Sequence, residues 1–456
     1  MSKLAILGGN PVRKEPFHSS VVTDDSEWKY VQHVLEAKEF SRFMGSPSGD
    51  MGKTLHMPSL EAEAIEGRYF SFLGGRMVRR FESGFANKFG VPYAVSVNSA
   101  TSGLSVALGA VGAGPGDEVI TTCMSFNATA LSILLFNSIP VFVDVDIRNF
   151  CLDPLEIEKA ITPKTKVILV VHLLGNYADM DAIMKIAKKH NLTVIEDCAQ
   201  APGTKYKGKY VGTIGDMGVF SFQETKNIMT GEGGMIITSN SDFAKKARLI
   251  RNHGESVPDE TWNDDDLINI VGMNYRMTEL TAALGISQLT KLDDNNRIRT
   301  ENAFYLAKEL NGITGIVTSQ YKDGIVPHSF PLLYNSEKTG VEREKILAAL
   351  RAEGIPVGSG YLRLMNENPI FLKKIAYGKS HCPWSCHLYG GTQNYNAGNY
   401  SVAKSLLRER FIWFYHINRP NDITDMKDVV NAFNKVFNNL DKLKTADISV
   451  NIGYKW

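Results

Sequence analysis

The stretches TVIEDCAQAPG at 193–203 and GVFSFQETKNIMTGEGGMIIT at 218–238 decide the fold. Residues 193–196 form a short run rich in Val and Ile that predicts a buried strand, and Asp197 stands at its carboxyl end. Similar runs occur at 93–97, 118–122, 141–145, 167–171 and 235–238. Helical patterns separate most of them, which indicates a mostly parallel α/β sheet with helices on both faces. Ligands bind at the carboxyl ends of the strands in such sheets, so Asp197 is a candidate site residue.

Three parts of the chain differ in pattern. Residues 1–70 contain an inserted stretch, 46–67, that is rich in Ser, Gly, Met and Pro. Residues 71–310 alternate strands with helices and end in a long predicted helix, 278–310. In residues 311–456 the predicted elements are a strand at 326–334 and helices at 342–353 and 423–440. We therefore expect an N-terminal segment, a large α/β domain and a smaller α+β C-terminal domain.

The composition excludes several classes of protein. The 456 residues include 50 Lys and Arg against 49 Asp and Glu, a formal net charge of +1, which argues against a nucleic-acid-binding protein. No apolar run is long enough for a transmembrane helix, and the N-terminal apolar run is too short for a signal peptide. Five cysteines do not form a disulfide framework. We expect a cytoplasmic protein with reduced thiols.

Two side chains in the opening stretches suit a heterocyclic ligand. A carboxylate at Asp197 can hold a protonated ring nitrogen, and the alternative is an aspartate that caps a turn or helix. Lys226 lies among apolar and small residues, between the predicted strand at 220–222 and the Gly231–Gly234 turn. Desolvation there lowers the pKa of an amine and suits it to Schiff-base chemistry, and the alternative is a solvated lysine.

The sequence NSATSG at 98–103 adds a phosphate site. It lies between a predicted strand and a predicted helix, where small residues leave backbone N–H groups free to bind a phosphate. An ordinary capped helix is the alternative. A phosphate, a pyridinium nitrogen and an aldehyde carbon together describe pyridoxal 5′-phosphate.

Motif segments extend the pattern from about residue 72 to 310. They read GGRMVRRFESGFANKFG, NSATSGL, GPGDEVI, MSFNATA, PVFVDVD, VHLLGNYADM, EDCAQAPGTKYKG, GDMGVFSFQETKNIMTGEGG and GMNYRMTELTAALGISQL. With them the chain resembles the DegT/DnrJ/EryC1/StrS aminotransferases. The resemblance implies a fold-type-I pyridoxal-phosphate enzyme that is a homodimer with shared active sites. It also implies amino transfer from L-glutamate or L-glutamine to a keto-sugar, mostly nucleotide-linked, or to a keto-cyclitol.

The resemblance implies roles for individual residues. Lys226 matches the lysine that binds the cofactor and transfers protons, Asp197 the partner of the pyridinium nitrogen, and Gln200 the side chain near the phenolic oxygen. Phe126 matches the aromatic residue that stacks on the cofactor ring, with a core phenylalanine as the alternative. The matching phosphate contacts are Ala100, Thr101, Ser221 and, across the dimer interface, Asn274. Arg276 either acts with Asn274 or forms a surface ion pair.

Several departures leave the substrate open. Some members have histidine at the position of Lys226 and dehydrate sugars, so the lysine favours transamination over a sugar dehydratase. It also argues against a non-catalytic module with the same fold. The string GGNPVR at 8–13 resembles the cyclitol and aminohydroxybenzoate branches, whereas SFQETKN at 221–227 resembles the keto-sugar branch. We expect the insertion at 46–67 to border the sugar site, and the alternatives are a solvated insertion or buried dimer surface.

No metal site is expected. The segment HCPWSCH at 381–387 has metal-capable side chains, but its spacing is not that of a standard zinc pair. Cys198 has no histidine partner in its motif, which favours a packed thiol. His172 and His253 are candidate substrate-pocket residues, with structural histidines as the alternative.

Overall fold

The computed structural model describes residues 2–19, 21–43, 56–63, 72–254, 271–319, 321–396, 398 and 400–447. A seven-stranded sheet and a four-stranded sheet organise it. The first nine strands are β1 (Tyr93–Val97), β2 (Glu118–Thr122), β3 (Ile139–Val143), β4 (Thr165–Val171), β5 (Thr193–Asp197), β6 (Lys205–Tyr206), β7 (Lys209–Tyr210), β8 (Met217–Ser221) and β9 (Gly234–Thr238). The order in the large sheet is β1-β9-β8-β5-β4-β2-β3, and β6 pairs with β7 alone.

Helices flank the sheets and connect their strands. They are α1 (Asp25–Ala37), α2 (Ser59–Glu63), α3 (Arg76–Phe89), α4 (Ala100–Ala110), α5 (Ala128–Leu134), α6 (Pro154–Ala160), α7 (Met180–His190), α8 (Ser241–Arg251), α9 (Glu279–Leu310), α10 (Ser336–Thr339), α11 (Arg343–Ala352), α12 (Pro369–Leu372), α13 (Ser401–Ser405), α14 (Ile423–Phe437) and α15 (Leu440–Thr445). No helix in the described part of the chain is both long enough and apolar enough to cross a bilayer.

The predicted α/β architecture is confirmed. Strands β2, β3, β4, β5 and β8 run parallel, and β9 pairs antiparallel with β8 and β1. Nearly every residue of these strands is buried, because helices cover both faces of the sheet. Pro140 lies in β3, which is an edge strand and therefore tolerates a residue without an N–H group.

The apolar stripe predicted on α3 packs against α9. Phe81 and Phe85 of this stripe are fully buried, and Phe85 stacks on Phe89 with ring centroids 4.5 Å apart. Gly285 of α9 permits the close approach, since a Cβ atom there would lie 2.5 Å from the Phe81 ring. The 32-residue helix α9 then continues towards the smaller sheet.

The smaller sheet contains β10 (Ile316–Thr318), β11 (Phe330–Tyr334), β12 (Val357–Gly358) and β13 (Phe411–Phe414) in the antiparallel order β10-β11-β13-β12. The strand predicted at 326–334 is shorter in the structure and begins at Phe330. Residues 326–328 contact the turn at 174–175 instead of a neighbouring strand. The N-terminal segment packs on this region: Glu353 accepts hydrogen bonds from the N–H groups of Ala5 (2.8 Å) and Val12 (3.1 Å). The division at residues 70 and 310 stays a prediction.

The described part of the insertion, 56–63, contacts the edge strand β1. The Ser59 hydroxyl accepts from the Ala94 N–H group (2.9 Å) and donates to the Ala94 carbonyl (3.2 Å). Ala94 lies at the amino end of β1, at the opposite side of the sheet from Asp197. The described part 56–63 thus contacts the amino end of β1 in this subunit, and the expectation that 46–67 borders the sugar site stays a prediction. Residues 46–55 and 64–67 lie outside the described residues.

Candidate active site

Asp197 is the last residue of β5 and is 4% exposed. Its Oδ1 atom accepts from the Ala199 N–H group (3.1 Å), and its Oδ2 atom accepts from the Thr129 hydroxyl (3.0 Å). Burial raises the pKa of this carboxyl, while the two hydrogen bonds and the charge of Lys226 oppose the rise. The hydrogen bond from Ala199 is the one expected if Asp197 only caps a turn. The hydrogen bond from Thr129 of α5 is an additional contact, and it orients the carboxylate at the edge of the sheet.

Lys226 lies in the loop that joins the antiparallel strands β8 and β9. Backbone hydrogen bonds from Phe222 N to Gly233 O (2.9 Å) and from Glu224 N to Gly231 O (2.9 Å) close this loop. The lysine is partly buried, and burial lowers its pKa from 10.5 to about 8, against the attraction of Asp197. Its amine has no hydrogen-bond partner among the residues that the structure describes. The amine is therefore available as a nucleophile near neutral pH.

The amino end of α4 forms a cradle of free N–H groups. Ser99 caps the helix by accepting from the Ser102 N–H group (3.1 Å). The N–H groups of Ala100 and Thr101 have no acceptor within the described ranges. Gly234 permits the close approach of this turn to β9, since a Cβ atom at residue 234 would lie 2.6 Å from the Ser99 carbonyl carbon. Free N–H groups at a helix N-terminus bind phosphate.

Ser221 and Asn274 adjoin the same edge of the sheet. Ser221 ends β8 and pairs with Gly234 of β9, opposite the start of α4. The Asn274 side chain is exposed, and its Oδ1 atom accepts from the Arg276 N–H group (3.3 Å). The backbone carbonyl of Asn274 accepts from Asn98 Nδ2 (3.4 Å). Arg276 Nη1 donates to Asn252 Oδ1 (2.7 Å), and no ion pair of Arg276 is found among the residues that the structure describes.

Gln200 and Phe126 complete the set of predicted cofactor contacts. Gln200 Oε1 accepts from the Leu174 N–H group (2.8 Å), and its Nε2 atom donates to the Tyr361 hydroxyl (3.1 Å). Phe126 follows β2 and is 66% exposed, so the alternative of a core phenylalanine is wrong. Its position, two residues before the start of α5 and three before Thr129, leaves an aromatic face free at the edge that carries Asp197.

His172 is a structural residue. It is fully buried, its Nδ1 atom accepts from the Ala178 N–H group (3.2 Å), and its Nε2 atom therefore donates to Glu196 (2.9 Å). His253, by contrast, has a left-handed backbone with φ of 65° and an exposed side chain. A pocket role for His172 is thus unsupported, and one for His253 stays a prediction.

The buried cluster of His172, Glu196 and Cys198 has the residue types of a metal site. Glu196 is already saturated, since it accepts from His172 and from three backbone N–H groups (2.6–2.8 Å). The chemistry of the cluster is therefore that of a hydrogen-bond network. Cys198 is a fully buried free thiol whose pKa is raised by burial, in agreement with a packed cysteine. The segment 381–387 is partly buried: Pro383 and Trp384 are buried, and Cys382 and Cys386 are half-buried free thiols.

Four residues near the site were not predicted from the sequence. They are Thr129, Tyr361, Asn296 and His328. Thr129 lies in the segment MSFNATA, so it is the residue among these four that a sequence motif could have indicated. The others come from α9 or from the region of the smaller sheet, where no quoted motif marks them.

The groups present fit pyridoxal 5′-phosphate. The carboxyl edge of the large sheet carries a buried carboxylate, a lysine amine and two N–H groups at a helix start, and neither the amine nor the N–H groups have a hydrogen-bond partner among the described residues. These are the partners that a pyridine nitrogen, an aldehyde and a phosphate require.

Comparisons with known proteins agree with this site. The family model of the DegT/DnrJ/EryC1/StrS aminotransferase family matches residues 61–394. A Streptoalloteichus tenebrarius protein, provisionally named L-glutamine:3-amino-2,3-dideoxy-scyllo-inosose aminotransferase, is 32% identical over 449 residues, covering 97% of this chain and 100% of the relative. A GDP-perosamine synthase of Caulobacter vibrioides is 40% identical over 284 residues, covering 62% of this chain and 75% of the relative.

Solved structures show the same fold. An aminotransferase from Psychrobacter cryohalolentis superposes with a TM-score of 0.72 at 28% identity, covering 93% of this chain and 100% of that chain. A 3-amino-5-hydroxybenzoic acid synthase superposes with a TM-score of 0.71 at 25% identity and the same coverage. The match of the family model over most of the chain and the full-length relative lead to one conclusion. The chain belongs to the DegT/DnrJ/EryC1/StrS aminotransferase family, and it is an aminotransferase that depends on pyridoxal 5′-phosphate.

Proposed function

We propose that this enzyme transfers an amino group from an amino acid, L-glutamate or L-glutamine, to the ketone of a sugar. The observation that carries the proposal is the pair formed by Lys226 and Asp197. Burial lowers the pKa of the Lys226 amine to about 8, and Asp197 lies close enough for its charge to act on that amine. An amine with a pKa near the working pH serves both as a nucleophile and as an acid and base.

The roles of the residues follow from their positions. Bound pyridoxal phosphate supplies an electron sink for the carbanion formed at the α-carbon of the amino acid. Asp197 keeps a proton on the ring nitrogen, because its carboxylate is held at the carboxyl end of β5. Lys226 would hold the cofactor covalently, and its amine, once the incoming amino group has replaced it, would carry the proton from the donor's α-carbon to the cofactor. In the second half-reaction the same amine would carry a proton from the cofactor to the carbon that was the ketone of the acceptor.

The other proposed contacts bind and orient the cofactor. Ala100, Thr101 and Ser221 bind the phosphate, Gln200 contacts the phenolic oxygen, and Phe126 stacks on the ring. The free N–H groups of α4 and the exposed ring of Phe126 support these assignments.

Borohydride reduction tests the central assignment. The holoenzyme is reduced, digested and analysed by mass spectrometry, with Lys226→Ala as the control. We expect the cofactor on the peptide that contains Lys226 and no covalent cofactor in the variant. Attachment to another lysine of the wild-type enzyme would refute the assignment.

The acceptor has a second candidate, a keto-cyclitol. The observation that favours it is the length of the match, since the relative named for an amino-scyllo-inosose substrate covers 97% of this chain whereas the GDP-perosamine synthase covers 62%. A second relative, named L-glutamine:2-deoxy-scyllo-inosose aminotransferase, is 35% identical over 384 residues. Enzyme converted to its amino form by L-glutamine is mixed with a keto-cyclitol or with a nucleotide-linked keto-sugar. The substrate class is the one whose acceptor restores the original absorbance of the bound cofactor in a single turnover.

The proposal includes a homodimer with shared sites that works in the cytoplasm. Asn274 supports the shared site, because its side chain is exposed while its backbone carbonyl accepts from the side chain of Asn98, one residue before the helix cap of the phosphate cradle. All five cysteines are free thiols, which supports a reducing compartment. Inactive Lys226→Ala subunits mixed with inactive Asn274→Ala subunits test the shared site. Recovery of activity after proven subunit exchange supports it, and exchange without recovery refutes it.

A further inference from the structure

His328 precedes β11 and contacts the loop that carries Lys226. The side chain is 5% exposed, and its Nδ1 atom lies 3.3 Å from Oδ1 of Asn227, the residue after the lysine. The imidazole also packs against Tyr415, with ring centroids 5.5 Å apart and an interplanar angle of 74°. The Tyr415 hydroxyl donates to the carbonyl of Thr225, the residue before the lysine. Side chains from the region of the smaller sheet thus contact both neighbours of Lys226.

His328 belongs to a chain of hydrogen bonds in which each donor and each acceptor can be assigned. Asn296 Nδ2 donates to the Pro202 carbonyl (2.9 Å), an oxygen that can only accept, so this contact sets the orientation of the Asn296 amide. Asn296 Oδ1 then accepts from Asn227 Nδ2 (3.0 Å). Asn227 Oδ1 is left as an acceptor, and the partner that donates to it is His328 Nδ1. The hydrogen of the neutral imidazole is therefore on Nδ1.

The backbone of His328 reaches the Gln200 side of the site. Its N–H group donates to the Leu174 carbonyl (3.0 Å), and the Leu174 N–H group donates to Gln200 Oε1 (2.8 Å). The carbonyl of His328 accepts from Nη1 of the buried Arg299 (2.9 Å). One residue therefore connects Gln200 with the loop of Lys226.

Two glycines make these contacts possible. Gly203 has φ of 102°, and a Cβ atom there would lie 2.3 Å from Asn296 Nδ2. Gly175 has φ of 88°, and a Cβ atom there would lie 2.0 Å from the Val326 carbonyl oxygen. Larger residues would displace either α9 or the segment that carries His328.

The charges around His328 keep its ring neutral. Burial lowers its pKa well below the ordinary value, and the neighbouring cations Lys226 and Arg299 lower it further. A neutral imidazole offers one N–H donor, which the chain of hydrogen bonds uses. A charged ring would instead be a third cation in this buried cluster.

We propose that His328 is a positioning residue for the amine of Lys226. It holds Asn227 through Nδ1 and holds Gln200 through Leu174, so that the lysine and the cofactor contacts keep one relative placement. The inference rests on the proposed function, because it takes Lys226 as the residue that binds the cofactor and transfers protons. Misplacement of a catalytic group by about 1 Å can cost on the order of a hundredfold in rate.

Two substitutions separate the hydrogen bond from the packing. His328→Leu removes the donor, whereas His328→Asn places an amide N–H group near the position of Nδ1. Asn302→Ala is the matched control, because Asn302 is a buried amide on the same helix as Asn296 and donates to the carbonyls of Ile417 and Asn421 (both 3.0 Å). The readouts are kcat, KM for the amino donor, and the pH midpoint of the visible absorbance of the bound cofactor in the holoenzyme.

We expect His328→Leu to lower kcat about tenfold or more with KM for the donor nearly unchanged, and to shift the absorbance midpoint. His328→Asn should restore both values towards those of the wild type, and Asn302→Ala should lower the melting temperature alone. If His328→Leu does not fold, Asn296→Leu interrupts the same chain and should produce the same two changes.

The outcomes distinguish this inference from the proposed function. A wild-type enzyme that carries its cofactor on a lysine other than Lys226 refutes the proposed function itself. Cofactor on Lys226 together with unchanged kcat and midpoint in His328→Leu refutes only the positioning role. Equal losses in His328→Leu and His328→Asn also refute it, since the restored donor would then have no effect.

Discussion

The amine of Lys226 should react with aldehydes at a lower pH than other lysines do. Burial lowers its pKa from 10.5 to about 8. At pH 8 about half of such amines are neutral, compared with roughly one in 300 at the ordinary pKa, so the reactive fraction is about 150-fold larger. Asp197 opposes the effect of burial, because its negative charge favours the ammonium form. The substitution Asp197→Asn should therefore lower the pKa of Lys226 below about 8.

The assay measures the extent of labelling of each lysine separately. Enzyme freed of cofactor is exposed briefly to an amine-reactive reagent at a series of pH values, and labelling of each lysine is measured by mass spectrometry after digestion. The exposed Lys29 on α1 serves as the internal reference in the same digest. We expect labelling of Lys226 to rise with a midpoint near pH 8, and to rise at a lower pH in Asp197→Asn.

Two results would contradict this reasoning. A midpoint near 10 for Lys226 in the folded wild-type protein would show that water reaches the amine and that burial does not set its pKa. A midpoint that rises in Asp197→Asn would show that the carboxylate does not act on the lysine as an opposite charge. Circular dichroism of the variant checks that it is folded before either result is read.

Three further perturbations test other parts of the site. Gly234→Ala should raise the dissociation constant for pyridoxal phosphate about tenfold or more, because its Cβ atom would lie 2.6 Å from the Ser99 peptide; Gly84→Ala on α3, where the nearest atom would be 3.4 Å away, should leave it unchanged. Phe126→Ala should weaken cofactor binding with little loss of stability, since the ring is 66% exposed, whereas truncating the buried Phe81 should cost about 3–5 kcal/mol. Glu196→Gln should destabilise the protein by about 1–3 kcal/mol in urea unfolding, because an amide cannot accept from all four donors; unchanged stability would contradict the saturated network.

The edge of the sheet that carries Asp197 was predictable because its residues lie in short motifs at strand ends. The strand at 193–197 places Asp197 at the carboxyl edge of the sheet. The helix that begins at Ala100 presents free N–H groups, as small residues after a strand indicated. Both inferences needed only the local pattern and the rule that ligands bind at this edge.

The contacts from outside the motifs were not predictable in the same way. Strand β12 has two residues and β13 has four, too few for a periodic signal. Tyr361 follows β12, whereas His328 precedes β11, and only the tertiary fold brings these two side chains to Gln200 and Asn227. The motif itself contained one indirect signal, Gly203, which is required both by its φ of 102° and by the close approach of Asn296 on α9.

The segment EDCAQAPG shows how one motif serves two sides of the sheet. Successive side chains of a strand point to opposite faces, so Glu196 and Asp197 must do different things. Glu196 gathers three backbone N–H groups and His172, which fixes the end of β5. Asp197 accepts from Thr129, and its charge acts on Lys226. The rigidity of the Asp197 carboxylate is therefore supplied by its sequence neighbour, and under the proposed role of Asp197 a substitution at Glu196 should lower activity through the placement of that carboxylate.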